Sequence, residues 1–446
     1  MKHVLVLGAG LVSPPLVRYF LARGDWHLTI AAAELGRIEP IIADRLRARS
    51  LRADVSDAAA LRELMRDADV VVNLLPATML PHVARAAIDE RKPMVSTSYL
   101  PGALLEMNEE AERAGVLLLC EAGFDPGLDH MSAIRVIRGL RHRGGRVTHV
   151  SSHAGGFPAL DANSNPWGYK FSWSPRAAIL AARNGARFLS EGRVVEIAGP
   201  DLFAHRWRRE IEGAGVFEIY ANRDALVYLE PYRLADDALG MFRGTIRRAG
   251  WSATMQAVAS LGLFESEPVA WPDGTTWRDV IARRIPAGKG SIVERVAGFV
   301  GTDADSDIIT RLEWAGLLSD RPVAERNASP LDLFIGRLER LMHYEPGERD
   351  MIAMQHEFRA EFPDGRVEEI TSWLVREGQP WGDSAMSQTV SVPAAIAARL
   401  IGSGTIRATG VHIPVSPEIV YPILDELEER GIRFEERTQT KFPGPV

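Results

Sequence analysis

The strongest constraint on this chain is the run VLVLGAGLVSPP at residues 4–15, a short apolar strand that passes through a glycine-rich turn into two prolines. Gly8 permits a tight turn after the strand, and Gly10 lets the backbone approach a pyrophosphate without a Cβ in the way. Pro14 and Pro15 suit the first turn of a helix, whose N–H groups and dipole would hold phosphates. Ser13 takes the third small position of G-x-G-x-x-G/A, so the fingerprint is degenerate and its context carries it. A strand precedes it, the amphipathic set Leu16, Val17, Phe20 and Leu21 follows, and another strand comes next.

Composition narrows what such a chain can be. Its 446 residues suggest two to three domains, and 46% hydrophobic with 25% charged residues suits a soluble globular protein. With a net charge of −7 and interleaved signs there is no basic stripe for nucleic acid. The single cysteine, Cys120, excludes an internal disulfide and a cysteine-rich metal site, so a cytoplasmic protein without a metal is expected. No apolar run approaches the roughly 18 residues of a membrane span. The N-terminal run is broken by glycine and proline and reads as strand one, not as a signal peptide.

Strands and helices then alternate. Residues 27–33, 49–55, 69–76, 93–99 and 116–123 read as strands two to six, with helices between them, one of them capped by Ser56 and one continuous over 101–115. Six units of this kind form a doubly wound parallel sheet, whose ligands lie beyond the carboxyl ends of its strands. Those ends are Gly8–Ser13, Ala32–Glu34, Asp54, Leu75–Pro76, Ser98–Tyr99 and Asp125–Gly127. After Asp125 come more strands, an aromatic loop (DANSNPWGYKFSWSP), helices over about 251–345, a hairpin turning at PDG, and two terminal helices. The expected fold class is α/β: a Rossmann-like doubly wound parallel sheet plus a mixed-sheet α/β substrate domain with a helical insertion. The expected division is a dinucleotide-binding part at 1–124 and 398–446, a substrate and dimerisation part at 125–250 and 346–397, and the insertion at 251–345.

The runs VVNLLPATMLPHV, VSTSYLPGAL, EAGFDPGLDHMSAI, SNPWGYKFSWSPRAAIL, YANRDAL and FRGTIRRAG, in this order, resemble saccharopine dehydrogenases of the glutamate-forming type, also called saccharopine reductases. The resemblance extends through LERLMHYEPGERDM and SPEIVYPILDEL, nearly the whole chain. It implies reversible NAD(P)-linked oxidation of the secondary amine of saccharopine at its glutamate-side carbon, then imine hydrolysis to glutamate and 2-aminoadipate 6-semialdehyde. It also implies roles for particular positions. Gly8, Gly10, Leu11, Val12, Ser13, Ala33, Glu34, Asp54, Val55, Leu75, Ser98, Asp125, Pro126, Gly127 and Ser174 would touch the cofactor. Ser98, Tyr99, Trp173, Arg223, Gly244, Thr245 and Ile246 would touch the substrate, with Arg247 a second cation for its carboxylates.

Imine hydrolysis needs proton transfers, for which Tyr99 and Asp125 are the catalytic candidates and Asp129, His130 and His153 the further titratable groups nearby. Asp125 could equally cap the next helix, and His130 could be a satisfied core histidine. The family often carries a cysteine where this chain has Ala154, so either a thiol there is not essential here or this chain differs in activity. Glu34, after strand two, favours NAD by bonding a ribose hydroxyl, while Arg37 leaves NADP open. The remaining alternatives are a related opine or carboxyalkyl-polyamine (carboxynorspermidine-like) dehydrogenase, and a non-enzymatic NAD-binding sensor or scaffold. A small-molecule substrate, no membrane partner and a homodimer complete the expectation.

Overall fold

The computed structural model describes residues 1–43 and 45–442. They form two compact units, one of residues 1–147, 360–368 and 382–446, the other of residues 148–359 and 369–381.

The first unit is built on a seven-stranded sheet. Its strands β1 (Lys2–Leu7), β2 (Trp26–Ala32), β3 (Ala48–Arg52), β4 (Val70–Asn73), β5 (Met94–Ser96) and β6 (Leu117–Leu119) take the spatial order β6-β5-β4-β1-β2-β3. All pairings are parallel. Strands covered on both faces read as unbroken apolar runs, and Val4–Leu7, Val70–Val72 and Leu117–Leu119 are indeed buried throughout. The seventh strand, Gly410–His412, comes from the tail and lies parallel to β6. Its three residues are too short to stand out in the sequence.

The tail is tied back by charge as well as by apolar packing. Helices Pro14–Leu21, Ala385–Gly402 and Pro417–Glu429 meet at Glu426, whose carboxylate takes hydrogen bonds from Arg23 (2.9 Å), Arg399 (2.7 Å) and Arg430 (2.9 Å). Arg23 and Arg430 stack on the Tyr19 ring, 4.0 and 4.7 Å from its centre, and Arg399 Nε donates to the Tyr19 hydroxyl at 2.8 Å. Burial pushes that hydroxyl up to about 12, so it stays protonated. Helix Leu128–His142 is held to Pro417–Glu429 by the Arg135–Glu428 ion pair, which explains why residues 125–147 belong to this unit. Residues 382–397 belong here too, because helix Ala385–Gly402 is continuous.

Several local readings change. The helix after β3 spans Ala58–Arg66 and is capped by Asp57, which accepts from Ala59 and Ala60, while Ser56 bonds Asp54. The expected continuous helix after β5 is two pieces, Gly102–Leu105 and Asn108–Ala114. β3, β5 and β6 are shorter than their apolar runs, since the last residues of each run belong to the loops beyond the sheet.

The second unit is a mixed sheet with helices. Its strands are β7 (Arg146–Pro158), β8 (Ala186–Ser190), β9 (Arg193–Ile197), β10 (Arg206–Ile211), β11 (Gly215–Ala221) and β12 (Gly240–Arg247). A small pair, β13 (Val269–Ala270) and β14 (Asn327–Ala328), precedes the hairpin strands β15 (Asp350–Glu361) and β16 (Val367–Glu377). The sheet runs β10-β11-β12-β7-β15-β16, antiparallel at β10-β11-β12 and parallel at β12-β7. The helical stretch 251–345 lies within this unit. Trp167 and Tyr169 of the aromatic loop are buried, and Trp167 Nε1 donates to the Arg311 carbonyl of helix Asp307–Trp314 at 3.0 Å. Among the described residues no helix is long and apolar enough to cross a membrane.

Glu426 supplies a prediction. Burial raises its pKa, but hydrogen bonds from Arg430, Tyr19 and Arg399 outweigh this and hold it below the ordinary value. A carboxylate with a depressed folded pKa contributes stability above its unfolded pKa and loses it as pH falls through the folded one. Glu426→Gln should therefore lower unfolding free energy by about 1.5–3 kcal/mol at neutral pH. Denaturant titration should show the gap to wild type narrowing as the pH is taken below about 4.

Candidate active site

The order of the first sheet reverses at β1, whose neighbours β2 and β4 lead away in opposite directions, so a crevice opens beyond its carboxyl end. Gly8 stands there with φ of 103°, and a Cβ on it would lie 3.1 Å from the Leu74 carbonyl, so only glycine lets β1 leave this close to β4. Gly10 is exposed, with open space where its side chain would be. Ser13 Oγ is spent on the Gly10 carbonyl at 2.8 Å, fixing the turn. The two prolines that start the helix carry no N–H, so donors for a phosphate would come from the loop amides of Gly10, Leu11 and Val12. Among the described residues, none of these amides is engaged by another protein group. Asn73, fully buried at the end of β4, accepts from Leu75 N at 3.2 Å, and its Nδ2 lacks a partner within the protein. An open glycine turn, free loop amides and a buried orphan donor fit a dinucleotide. Ala33, Glu34 and Asp54 are exposed on neighbouring strand ends, Val55 is half-buried, and Glu34 lies 3.6 Å from Arg52.

Beyond β5 and β6 the structure brings Tyr99 and Asp125 together, the hydroxyl donating to Asp125 Oδ1 at 3.1 Å. The loop carrying Asp125 doubles back through a cis Asp125–Pro126 bond. Gly127 has φ of 143°, and a Cβ on it would lie 2.3 Å from Gly123 N and O, so two glycines in contact make the fold-back possible. Helix Leu128–His142 starts at Gly127 with no side-chain cap, so Asp125 does not cap it; Asp129, in its first turn, accepts from Gly127 N through Oδ1 at 2.6 Å. His130 is fully buried with Nε2 2.6 Å from Glu121 Oε2. Glu121 went unread in the sequence, where it merely ends an apolar run.

In the second unit, Arg223 is exposed with φ of 57°, its carbonyl accepting from Arg187 N at 3.0 Å. Ala221, two residues before it, pairs with Gly244 of β12. Gly244 is side-chain-free for packing, since a Cβ would lie 2.5 Å from Ile219 Cγ2, and the Ile246 side chain is in the core. Both could meet a ligand only through backbone. Thr245 is half-buried on the opposite face of β12, with Arg243 and Arg247 two residues to either side. Arg243 donates to the Tyr228 hydroxyl at 3.2 Å. Arg247 stacks 5.0 and 5.5 Å from the centres of Tyr169 and Trp251, and its Nε is buried without a partner. Ser174 caps helix Pro175–Leu180, beside half-buried Trp173. His153 is buried against Phe242, and burial, with Arg209 and His356 nearby, lowers it to about 3. It is neutral near pH 7 and cannot serve there as the acid.

The sequence agrees with the models of two domain families, the saccharopine dehydrogenase NADP binding domain over residues 4–119 and the saccharopine dehydrogenase C-terminal domain over residues 123–432. It is 35% identical over 98% of its length to saccharopine dehydrogenase [NADP(+), L-glutamate-forming] of Schizosaccharomyces pombe, covering 99% of that protein. The Saccharomyces cerevisiae protein of the same name is 34% identical, with 98% and 99% covered. The structure superposes with a TM-score of 0.87 on apo saccharopine dehydrogenase (L-Glu forming) from Saccharomyces cerevisiae, covering 98% of this chain and 100% of that one. The chain belongs to the saccharopine dehydrogenase family. Mouse mitochondrial alpha-aminoadipic semialdehyde synthase is also similar, at 33% identity, and the chain spans 48% of it.

Against the saccharopine dehydrogenase family pattern, Ala154 stands buried opposite Thr245 across the β7–β12 pairing. The fold-back at Gly123–Gly127 makes the geometry of the Asp125 loop testable. Gly127→Ala should cost about 1–3 kcal/mol from the disallowed φ alone, with further loss from the clash. Gly102→Ala, where nothing lies within 4 Å of the added carbon, should be near neutral. Denaturant melts of the two variants compare them directly.

Proposed function

We propose that this chain is a nicotinamide-linked saccharopine dehydrogenase of the glutamate-forming type, converting saccharopine and water to glutamate and 2-aminoadipate 6-semialdehyde. The observation that carries this is the Tyr99–Asp125 hydrogen bond beyond the same sheet edge as the dinucleotide turn, in a chain that matches this family along its length.

The products decide which carbon is oxidised. Glutamate leaves as an amine and the aldehyde is on the 2-aminoadipate side, so the hydride departs from the carbon on that side of the nitrogen. Loss from the glutamate-side carbon would give a 2-oxo acid and lysine, so that expectation is corrected. When bound, the nicotinamide supplies the hydride acceptor, and the glycine turn with the Gly10–Val12 amides holds its diphosphate. Tyr99 and Asp125 then offer a hydroxyl and a carboxylate in hydrogen-bond contact for the proton transfers of imine hydrolysis. His153, neutral, and His130, engaged by Glu121, are left out of that role. Saccharopine carries three carboxylates, and Arg223, with Arg247 stacked on its aromatic rings, supplies cations for them.

For the cofactor we infer NADP. The relatives bear NADP(+) in their names, which does not support reading Glu34 as a selector for NAD. Arg52, well exposed beside Glu34, has the chemistry to meet a 2′-phosphate. Arg52→Ala should lower kcat/KM for NADP about tenfold, one charge-assisted contact, and leave NAD within about twofold. Equal losses would remove Arg52 from the site. A cytoplasmic location and a homodimer belong to the same reading, and sedimentation tests the dimer.

The decisive assay mixes purified protein, NADP and saccharopine and follows the absorbance of reduced nicotinamide. Reduction that depends on a carboxyalkyl-polyamine instead would move the assignment to that class. Arg223→Met keeps volume and removes the guanidinium, and should lower kcat/KM for saccharopine by about 2–5 kcal/mol, with cofactor affinity unchanged. Normal kcat/KM would make Arg223 a structural residue.

A further inference from the structure

We propose that Glu121 is a positioning residue that fixes the Tyr99 hydroxyl against Asp125. This rests on the reading of Tyr99 and Asp125 as the proton-transfer pair.

Glu121 follows β6 in the left-handed region, with φ of 58°, a conformation that costs a non-glycine residue energy unless surrounding bonds hold it there. Those bonds are present, and they converge on Tyr99. The Glu121 N–H donates to the Ser98 carbonyl at 3.0 Å, and its Oε1 accepts from Leu100 N at 2.9 Å. One residue therefore holds the peptide groups on both sides of Tyr99. The carboxylate is almost completely buried, 3% exposed, and its other oxygen meets His130 Nε2 at 2.6 Å. A buried carboxylate without such partners would be strongly disfavoured, so the three groups specify one another.

The connection continues to the other partner of the pair. His130 Nδ1 lies 3.7 Å from Asp129 Oδ2, and Asp129 Oδ1 holds Gly127 N at 2.6 Å, two residues beyond Asp125. Two buried sets of hydrogen bonds, Leu100–Glu121–His130 and Asp129–Gly127, are thus joined through the consecutive residues Asp129 and His130 of helix Leu128–His142. Their outer ends are the segments that carry Tyr99 and Asp125. A purely structural contact would need only Glu121 and His130. The bonds that bracket Tyr99 are what a positioning device adds.

A double-mutant cycle separates the two roles, because residues acting through one another are non-additive. kcat/KM for saccharopine is measured for wild type, Glu121→Ala, Tyr99→Phe and the double variant, with thermal melts to verify folding. Glu121→Ala should lower kcat/KM at least tenfold in the wild-type background and by a factor at least fivefold smaller in the Tyr99→Phe background. Any lesser difference between the two factors, or no loss at all in wild type, overturns the proposal while leaving the Tyr99–Asp125 reading standing. If Tyr99→Phe alone keeps kcat/KM within twofold, that reading falls and this one with it. If Glu121→Ala does not fold, the cycle is read with His130→Leu, which keeps the Glu121 carboxylate and removes the side-chain donor on its second oxygen, under the same fivefold criterion.

Discussion

The constraint on which the first unit depends is the reversal of strand order at β1. Parallel strands need long crossovers, and crossovers that leave β1 in opposite directions cannot cover the crevice beyond its carboxyl end. Everything assigned to cofactor chemistry in this unit follows from that opening. Gly8 is glycine because Leu74 is 3.1 Å away on one side of the crevice, while Gly10 faces open space. β5 and β6 end on the same edge of the sheet, so their loops deliver Tyr99 and Asp125 there without any local sequence signal for proximity. Fixing such an edge requires a rigid sheet, which explains why the tail returns to add a strand and to close helices around Glu426.

The parts of this organisation legible in the sequence are those governed by short-range rules. Continuous apolar runs announce the buried parallel strands, the PDG turn announces the β15–β16 hairpin, and Gly8 marks the end of β1. What was not legible depends on partners distant in the chain. Gly410–His412 is a strand only because β6 offers an edge. Glu121 ends an apolar run and takes its meaning from Leu100 and His130. Ser56 and Asp57 are adjacent candidates for one cap, and the choice falls to Asp57 because Asp54 already occupies the Ser56 hydroxyl. Asp125, read as a cap for the next helix, is another case. The Gly127 N–H goes to Asp129, and Asp125 accepts from the Tyr99 hydroxyl.

In the second unit, residues assigned to substrate binding by family likeness also have packing roles, and the two can be separated by atom. Gly244 is small because Ile219, Phe242 and His153 crowd it, and Ile246 is a core side chain, so each can offer a ligand only main-chain groups. The side chains on the other face of β12 are those of the alternate positions Arg243, Thr245 and Arg247. Burying a guanidinium is expensive unless its charge is met. Arg247 is met mainly by aromatic rings, an arrangement that keeps it preorganised and leaves hydrogen-bonding capacity at Nε.

The distribution of titratable groups bears on how the chemistry is divided. His153 is held neutral by burial, Cys120 is sealed in the core with its thiol pushed well up, and Ala154 replaces a residue that is often a thiol in the family. These three positions offer nothing that exchanges a proton near neutral pH. Tyr99 and Asp125 differ from them in being only half-buried as well as hydrogen-bonded to each other. A carboxylate that retains access to water can pass a proton on, whereas one sealed in the core, like Glu121, can only orient its neighbours. The sequence places two acidic residues four positions apart, and burial separates them: Asp125 keeps the access to water that the proposed proton exchange needs, whereas Glu121 is sealed in, as the proposed positioning of Tyr99 requires.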